Sequence, residues 1–160
     1  LSSAASDVYK RQLLNRTQYE KDLERIKPPA VIINMDVDDF KQINDTSGHA
    51  AGDYYLRQIA EVIRTVYGRH GDCYRYGGDE FSLILTKNLH QMEKLNGMFE
   101  AALGQLREQD PKMPMVSLGY ALYEGGIEAL YATIEKADAM MYRNKKVNDR
   151  AEIVENAAEF

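Results

Sequence analysis

Within the stretch RYGGDEFSLIL, Gly77-Gly78 separates two short strand-like runs, Cys73 to Tyr76 and Phe81 to Leu85. Two such runs across a glycine pair predict an antiparallel hairpin, with the glycines supplying the positive φ angles of a tight turn. The same turn carries Asp79 and Glu80. It therefore has two readings, a hairpin with a polar tip or a hairpin that carries a metal site.

The rest of the chain supplies partners for that hairpin. Asn15 to Ile26 predicts a helix with Leu14, Tyr19, Leu23 and Ile26 on its apolar side, closed off by Pro28-Pro29. Ala30 to Met35 is nearly all apolar, the pattern of a strand covered on both faces, and Asp36 arrives where the strand should end. A helix over roughly Ala51 to Tyr67 repeats Leu56, Ile59, Ile63 and Val66 on one face, and FKQINDTSGHAAGD before it reads as a polar turn. A third helix carries Met92, Leu95, Phe99, Leu103 and Leu106; Pro111 and Pro114 break the chain, and the strand MVSLGYALY follows. The last helix turns Leu130, Ile134, Ala137 and Met141 inward. The order β-α-β-β-α-β-α predicts an α+β fold, a split βαβ arrangement with helices covering one face of an antiparallel sheet.

A chain of 160 residues fits one domain. Its first twelve residues, LSSAASDVYKRQ, lack periodicity and read as a non-native scar or a disordered linker, leaving residues 13–160 as the domain. With 20 basic against 25 acidic residues and no basic run, the chain has no nucleic-acid footprint. The lone Cys73 excludes an internal disulfide and reads as a buried strand residue. No segment approaches the ~20 apolar residues of a membrane helix. A soluble, cytoplasmic domain without membrane insertion is the expectation.

If the strand ending at Asp36 lies beside the hairpin, then Asp36, Asp38, Asp39, Asp79 and Glu80 gather negative charge that a cation or bound protons must offset. A hard ion such as Mg²⁺, held by one or two carboxylates and a substrate's phosphates, meets that need. Solvated acids at turns remain the alternative. Between the acidic places, Gly48 and Gly52 allow backbone N–H groups to approach phosphate at a helix start. Asn44 and Asp53 together offer the donors and acceptors that guanine requires.

The pieces MDVDDFKQINDTSGHAAGD, RYGGDEF, SLGYA and ADAMMYRNK agree in order and spacing with one family. Over roughly Leu13 to Lys146 the chain resembles a GGDEF domain of the diguanylate cyclases, bacterial enzymes that join two GTP molecules into the second messenger cyclic di-GMP. The resemblance implies a fold similar to the palm of nucleotidyl cyclases and polymerases, with a ferredoxin-like core. It implies one GTP per domain, a homodimer for catalysis, and two Mg²⁺ per GTP, with Mn²⁺ as the alternative ion.

Carried onto this sequence, the family's metal ligands are Asp36, Asp79, the Val37 carbonyl and neighbouring Glu80. The family's candidate for assisting deprotonation of the attacking 3′-hydroxyl is Asp79 first, or Glu80 beside it. Asn44 and Asp53 fall where guanine is read, and the acid at Asp53 favours guanine over other purines. Phe40 and Lys41 fall in the phosphate-cradling turn, Gly77 and Gly78 in the signature, and Lys145 where a late lysine contacts the triphosphate.

The departures are equally specific. The turn that commonly precedes Leu-Asn-Arg is replaced by VYKRQL, and an upstream sensor or receiver domain is implied but not part of this sequence. The usual Gly-Arg after the lysine is Asn148-Asp149, with Arg150 one place late. Arg69-His70-Gly71-Asp72 has the pattern of the product-inhibitory motif but sits one residue too near the signature, so Gly68 and Gly71 occupy the aligned positions. That shift implies the inhibitory site is absent; a one-residue loop deletion that preserves it is the rival. Loss of the arginine likewise leaves a catalytically lapsed, GTP-binding regulatory module as the alternative function.

Overall fold

The computed structural model describes residues 13–158. The segment read as a scar or linker lies outside the described residues. The elements are β1 (Leu14–Asn15), α1 (Arg16–Glu24), β2 (Ala30–Val37), α2 (Phe40–Ser47), α3 (His49–Tyr67), β3 (Gly71–Arg75), β4 (Glu80–Leu85), α4 (Met92–Gln109), β5 (Val116–Tyr123) and α5 (Ile127–Ala158). The five strands form one sheet in the order β1-β3-β4-β2-β5. All neighbours are antiparallel except the two-residue β1, which pairs parallel to β3. This is the α+β architecture expected, with β2 and β4 at its centre.

Helices cover both faces of the sheet, not one. Along β2, Val31, Ile33, Met35 and Val37 enter a cluster with Tyr55, Leu56, Ile59 and Ile63 of α3 and Leu95 and Phe99 of α4. The alternate residues Ala30 and Ile32 enter a second cluster with Tyr19 of α1 and Leu130 and Ala137 of α5. Strand alternation sends successive side chains to opposite faces, so an almost unbroken apolar strand requires two cores. The apolar run already carried that requirement. Each fully buried large side chain contributes roughly 1.5–3 kcal/mol relative to exposure, and β2 therefore anchors both layers.

Three local expectations change. FKQINDTS is a helix, α2, not a turn; it ends at Gly48, whose φ of 87° stops the helix before α3 begins at His49. The first helix starts at Arg16, capped by the Asn15 side chain accepting from the Gln18 N–H at 2.9 Å, because Leu14 and Asn15 are drawn into the sheet. The hairpin forms between β3 and β4, but neither Gly77 nor Gly78 has positive φ. The loop is longer than a two-residue turn: the N–H groups of Tyr76 and Gly77 both donate to the Glu80 carbonyl. Arg75 folds over the tip and donates to the carbonyls of Gly77 and Gly78 at 3.3 and 2.9 Å. Side-chain bracing shapes this loop in place of left-handed backbone. Cys73 is buried in the first cluster, and burial pushes its thiol up to about 12, so it is an inert core residue.

Candidate functional site

The register of β2 and β4 pairs Asp36 directly with Glu80. Like charges opposed across a sheet are destabilising, and here a third is added: the Val37 N–H donates to the Asp79 carbonyl at 2.9 Å, tying the hairpin loop to the end of β2. Asp79 is thereby near enough to Asp36 for its charge to act on the Asp36 carboxyl. Hairpin tip and strand end therefore meet, as the sequence predicts.

Burial and that crowding together set the electrostatics. Burial raises the Asp36 carboxyl above the usual carboxylate range; the Lys145 ammonium, 3.1 Å away, opposes the shift, and neighbouring Asp79 adds to it. Burial also raises Glu80, reinforced by Asp36, Asp79 and Asp138, while Arg16 opposes. For Lys145, burial works against the charge, yet Asp36, Asp38 and Asp149 outweigh it and hold the ammonium above its ordinary value. Burial is thus the leading cause for both acids, the neighbouring carboxylates add to it, and Lys145 offsets it only in part.

Asp38 and Asp39 do not join this group in the way the sequence suggests. Asp38 is buried and accepts from the Ser117 hydroxyl at 2.7 and 2.9 Å and from the Asn148 amide at 3.0 Å. It is a structural carboxylate, committed to β5 and α5. Asp39 is exposed and holds the left-handed conformation at φ 51°, starting α2 without a side-chain cap. Non-glycine residues seldom adopt that conformation, which is concentrated at functional sites. With no capping side chain, the first N–H groups of α2, at Phe40 and Lys41, keep their capacity for an anion.

Asn44, Phe40 and Gly52 meet where α2 folds back on α3. A Cβ on Gly52 would lie 2.1 Å from Asn44 Oδ1 and 3.1 Å from Phe40 Cζ. Only glycine permits this approach, and it sets Asn44 beside the turn of α3 that carries exposed Asp53. Lys41 is likewise exposed on α2.

Sequence reasoning missed a polar layer beneath the carboxylates. Asn34, buried in the middle of β2, accepts from the Ser82 hydroxyl at 3.0 Å and donates to Asp138 of α5 at 2.7 Å. Its signal was present in AVIINM, where an asparagine interrupts a buried apolar run and must find partners. A cavity of about 910 Å³ opens beside this layer between α1, the sheet and α5, reaching Tyr19, Tyr76, Glu80 and Asp138. A second cavity of about 480 Å³ adjoins the β2–α2 turn at Asp38, Asp39, Gln42, Asn148 and Asp149. Neither includes Asn44 or Asp53.

Among the described residues no three acidic, histidine or cysteine side chains converge to hold a metal unaided. The Asp36–Asp79 pair, all hard oxygen donors, nevertheless fits Mg²⁺, which takes one or two carboxylates and completes its shell with water and phosphate. No helix among the described residues is long and apolar enough to cross a membrane.

Residues 5–150 match the profile described as "Diguanylate cyclase, GGDEF domain". The chain belongs to the GGDEF family. It is 31% identical over 140 residues to diguanylate cyclase DgcS of Shewanella oneidensis, covering 82% of this chain and 46% of that protein. It is 31% identical over 121 residues to diguanylate cyclase A of Treponema denticola, covering 72% and 32% respectively. This GGDEF chain thus spans between about a third and a half of those relatives. Its fold resembles the coiled coil and GGDEF domain of DgcB from Caulobacter crescentus, solved with c-di-GMP, at a TM-score of 0.71 and 26% identity over 86% of this chain and 78% of that one. The active GGEEF domain of a diguanylate cyclase from Vibrio cholerae gives 0.69 at 26% identity, over 84% and 92%.

Proposed function

We propose that this domain is a diguanylate cyclase condensing two GTP into cyclic di-GMP across a homodimer. The observation that carries the reading is the meeting of the Asp79 loop with the end of β2 at Asp36, four residues before the uncapped start of α2 at Phe40. Carboxylates for a divalent ion and N–H groups for phosphate thereby adjoin.

In this reading Asn44 and Asp53 hold guanine, the α2 N–H groups at Phe40 and Lys41 hold phosphate oxygens, and Lys145 reaches the triphosphate. Gly77 and Gly78 keep the tip free of side chains that would crowd the nucleotide. Asp36, Asp79, Glu80 and the Val37 carbonyl would hold two Mg²⁺, or Mn²⁺. When bound, such ions stabilise charge on the attacking and leaving oxygens of an in-line displacement. Asp79, assisted by Glu80, takes the proton from the 3′-hydroxyl of one GTP. That oxygen bonds to the α-phosphorus of the other GTP as its bond to pyrophosphate breaks; the reciprocal step closes the ring and releases a second pyrophosphate. Each domain positions one GTP, so the dimer is required. An upstream sensor or receiver domain would govern how two copies meet, and a cytoplasmic setting supplies the GTP.

One observation favours a second reading, a GTP-binding regulatory module without turnover. Asn148 stands where the family's Gly-Arg begins, and its amide is engaged by Asp38 and Ser117 at 3.0 and 3.1 Å. Incubating the domain with GTP and Mg²⁺ and resolving the products separates the two. Cyclic di-GMP is expected; GTP binding without product would establish the regulatory module, and neither would remove both.

A further inference from the structure

The Lys145–Asp36 contact is more than a surface pair. Its ammonium lies 3.1 Å from Asp36 Oδ2, with side chains 34% and 18% exposed. The backbone beneath Lys145 is fixed on both sides: Asn144 donates to the Leu118 carbonyl at 2.7 Å, and Asn148 donates to Asp38 and Ser117. Gly119 lets α5 approach β5 so closely that a Cβ there would fall 2.1 Å from the Ala137 carbonyl oxygen. These contacts hold the helix against the sheet, while the lysine stem above it is a flexible chain of four methylenes. The carboxylate it grips lies opposite Glu80, one residue before Val37, whose N–H donates to the Asp79 carbonyl.

We propose that Lys145 is a built-in counter-ion for the carboxylate site. In the nucleotide-free protein its ammonium occupies Asp36, a divalent ion must displace it from that oxygen, and the displaced ammonium then turns to phosphate. This rests on the reading of Asp36 and Asp79 as metal ligands. Two cations cannot share one carboxylate oxygen at contact distance without repelling each other, so lysine and metal compete. The device keeps Asp36 from standing uncompensated beside Asp79 and couples release of the lysine to arrival of the ion.

Titrating the nucleotide-free domain with Mn²⁺ and following the free ion by electron paramagnetic resonance tests the idea. Lys145→Met is expected to bind Mn²⁺ about fivefold more tightly than the unaltered domain, the scale of a partly exposed ion pair. Lys146→Met removes the same charge from a side chain lying over the Tyr142 ring and is expected to change affinity by less than about twofold. Asp36→Asn should abolish the site. Equal or weaker binding by Lys145→Met, with Asp36→Asn still abolishing it, overturns the counter-ion role and leaves the metal ligands standing. Unchanged binding in Asp36→Asn overturns both. A second readout needs no variant: acetylation of Lys145 in the intact domain should accelerate when Mn²⁺ is added, and an unchanged rate counts against displacement.

Discussion

Gly119 of β5 touches the backbone of α5: a Cβ built on it would fall 2.1 Å from the Ala137 carbonyl oxygen and 2.3 Å from the Met141 nitrogen. Both are main-chain atoms and cannot step aside as a side-chain end does. Gly119→Ala must therefore push the helix away, carrying Lys145 and Asn148 off Asp36 and Asp38. Destabilisation of about 2–3 kcal/mol is expected in urea unfolding, with loss of GTP turnover persisting at temperatures where the variant is fully folded.

The carboxylate pair gives the opposite balance of stability and activity. Asp79→Asn relieves repulsion between acids, so the unfolding midpoint should hold or rise. Cyclic di-GMP formation should fall by at least about 100-fold, the scale of a lost proton acceptor. Chromatography of the products beside a thermal melt checks both, and unchanged turnover would remove Asp79 from the chemistry.

The guanine contact proposed for Asn44 can be probed through its neighbour Gly52. Gly52→Ala would place its methyl 2.1 Å from Asn44 Oδ1, the far end of a side chain that can turn aside where backbone cannot. The fold should survive while the GTP KM rises about tenfold, corresponding to a hydrogen bond of ~1–1.5 kcal/mol, with kcat changed far less. Asp53→Ala should instead narrow the preference for GTP over ATP, measured by competition.

Asp38 sets a pH dependence. Burial raises its carboxyl first of all, the Asn148 and Ser117 hydrogen bonds oppose the shift, and the net folded value lies above the unfolded one. The folded state then holds a proton that the unfolded state has lost, so this group's contribution falls as pH rises from the ordinary carboxylate range through the raised value. Above that value it is constant. Relative to Asp38→Asn, the unaltered domain should lose stability across that window and keep a fixed difference at neutral pH. Chemical denaturation at a series of pH values reads the slope, and a difference of the reverse sign would refute it.

Product inhibition through Arg69 is expected to be absent. A Cβ at Gly71 would lie 2.1 Å from the Ile84 carbonyl oxygen, and one at Gly68 2.5 Å from that of Arg64. The two positions aligned with the inhibitory motif thus hold no side chain. Calorimetric titration with cyclic di-GMP decides it: micromolar binding abolished by Arg69→Ala would restore the site.

Much of this was legible from pattern. Periodicity fixed the large helices because Leu56, Ile59 and Ile63 return to one face, and β2 was visible from its unbroken apolar run. The meeting of Asp36 with the hairpin followed from topology. Short α2 was hidden because its eight residues are polar and include Asn, Asp, Thr and Ser, poor helix formers whose helix depends on packing Phe40 and Ile43 against the core. The glycine pair misled because Arg75, a side chain distant from any turn rule, braces the loop. The role of Asn148 was invisible for a different reason: its partners Asp38 and Ser117 lie 110 and 31 residues away.

The chain enters the described fold through β1, only Leu14–Asn15, paired with Tyr74 and Arg75 at the rim of the sheet. A strand so short is held by few backbone bonds and is the least costly part of the sheet to peel away. Beneath it, α1 stays moored through Tyr19 packed edge-on against Tyr74, with centroids 5.1 Å apart. Arg75, paired with Asn15 in that seam, also carries the brace of the hairpin tip, so one residue joins the edge where the chain enters the sheet to the loop that bears Asp79.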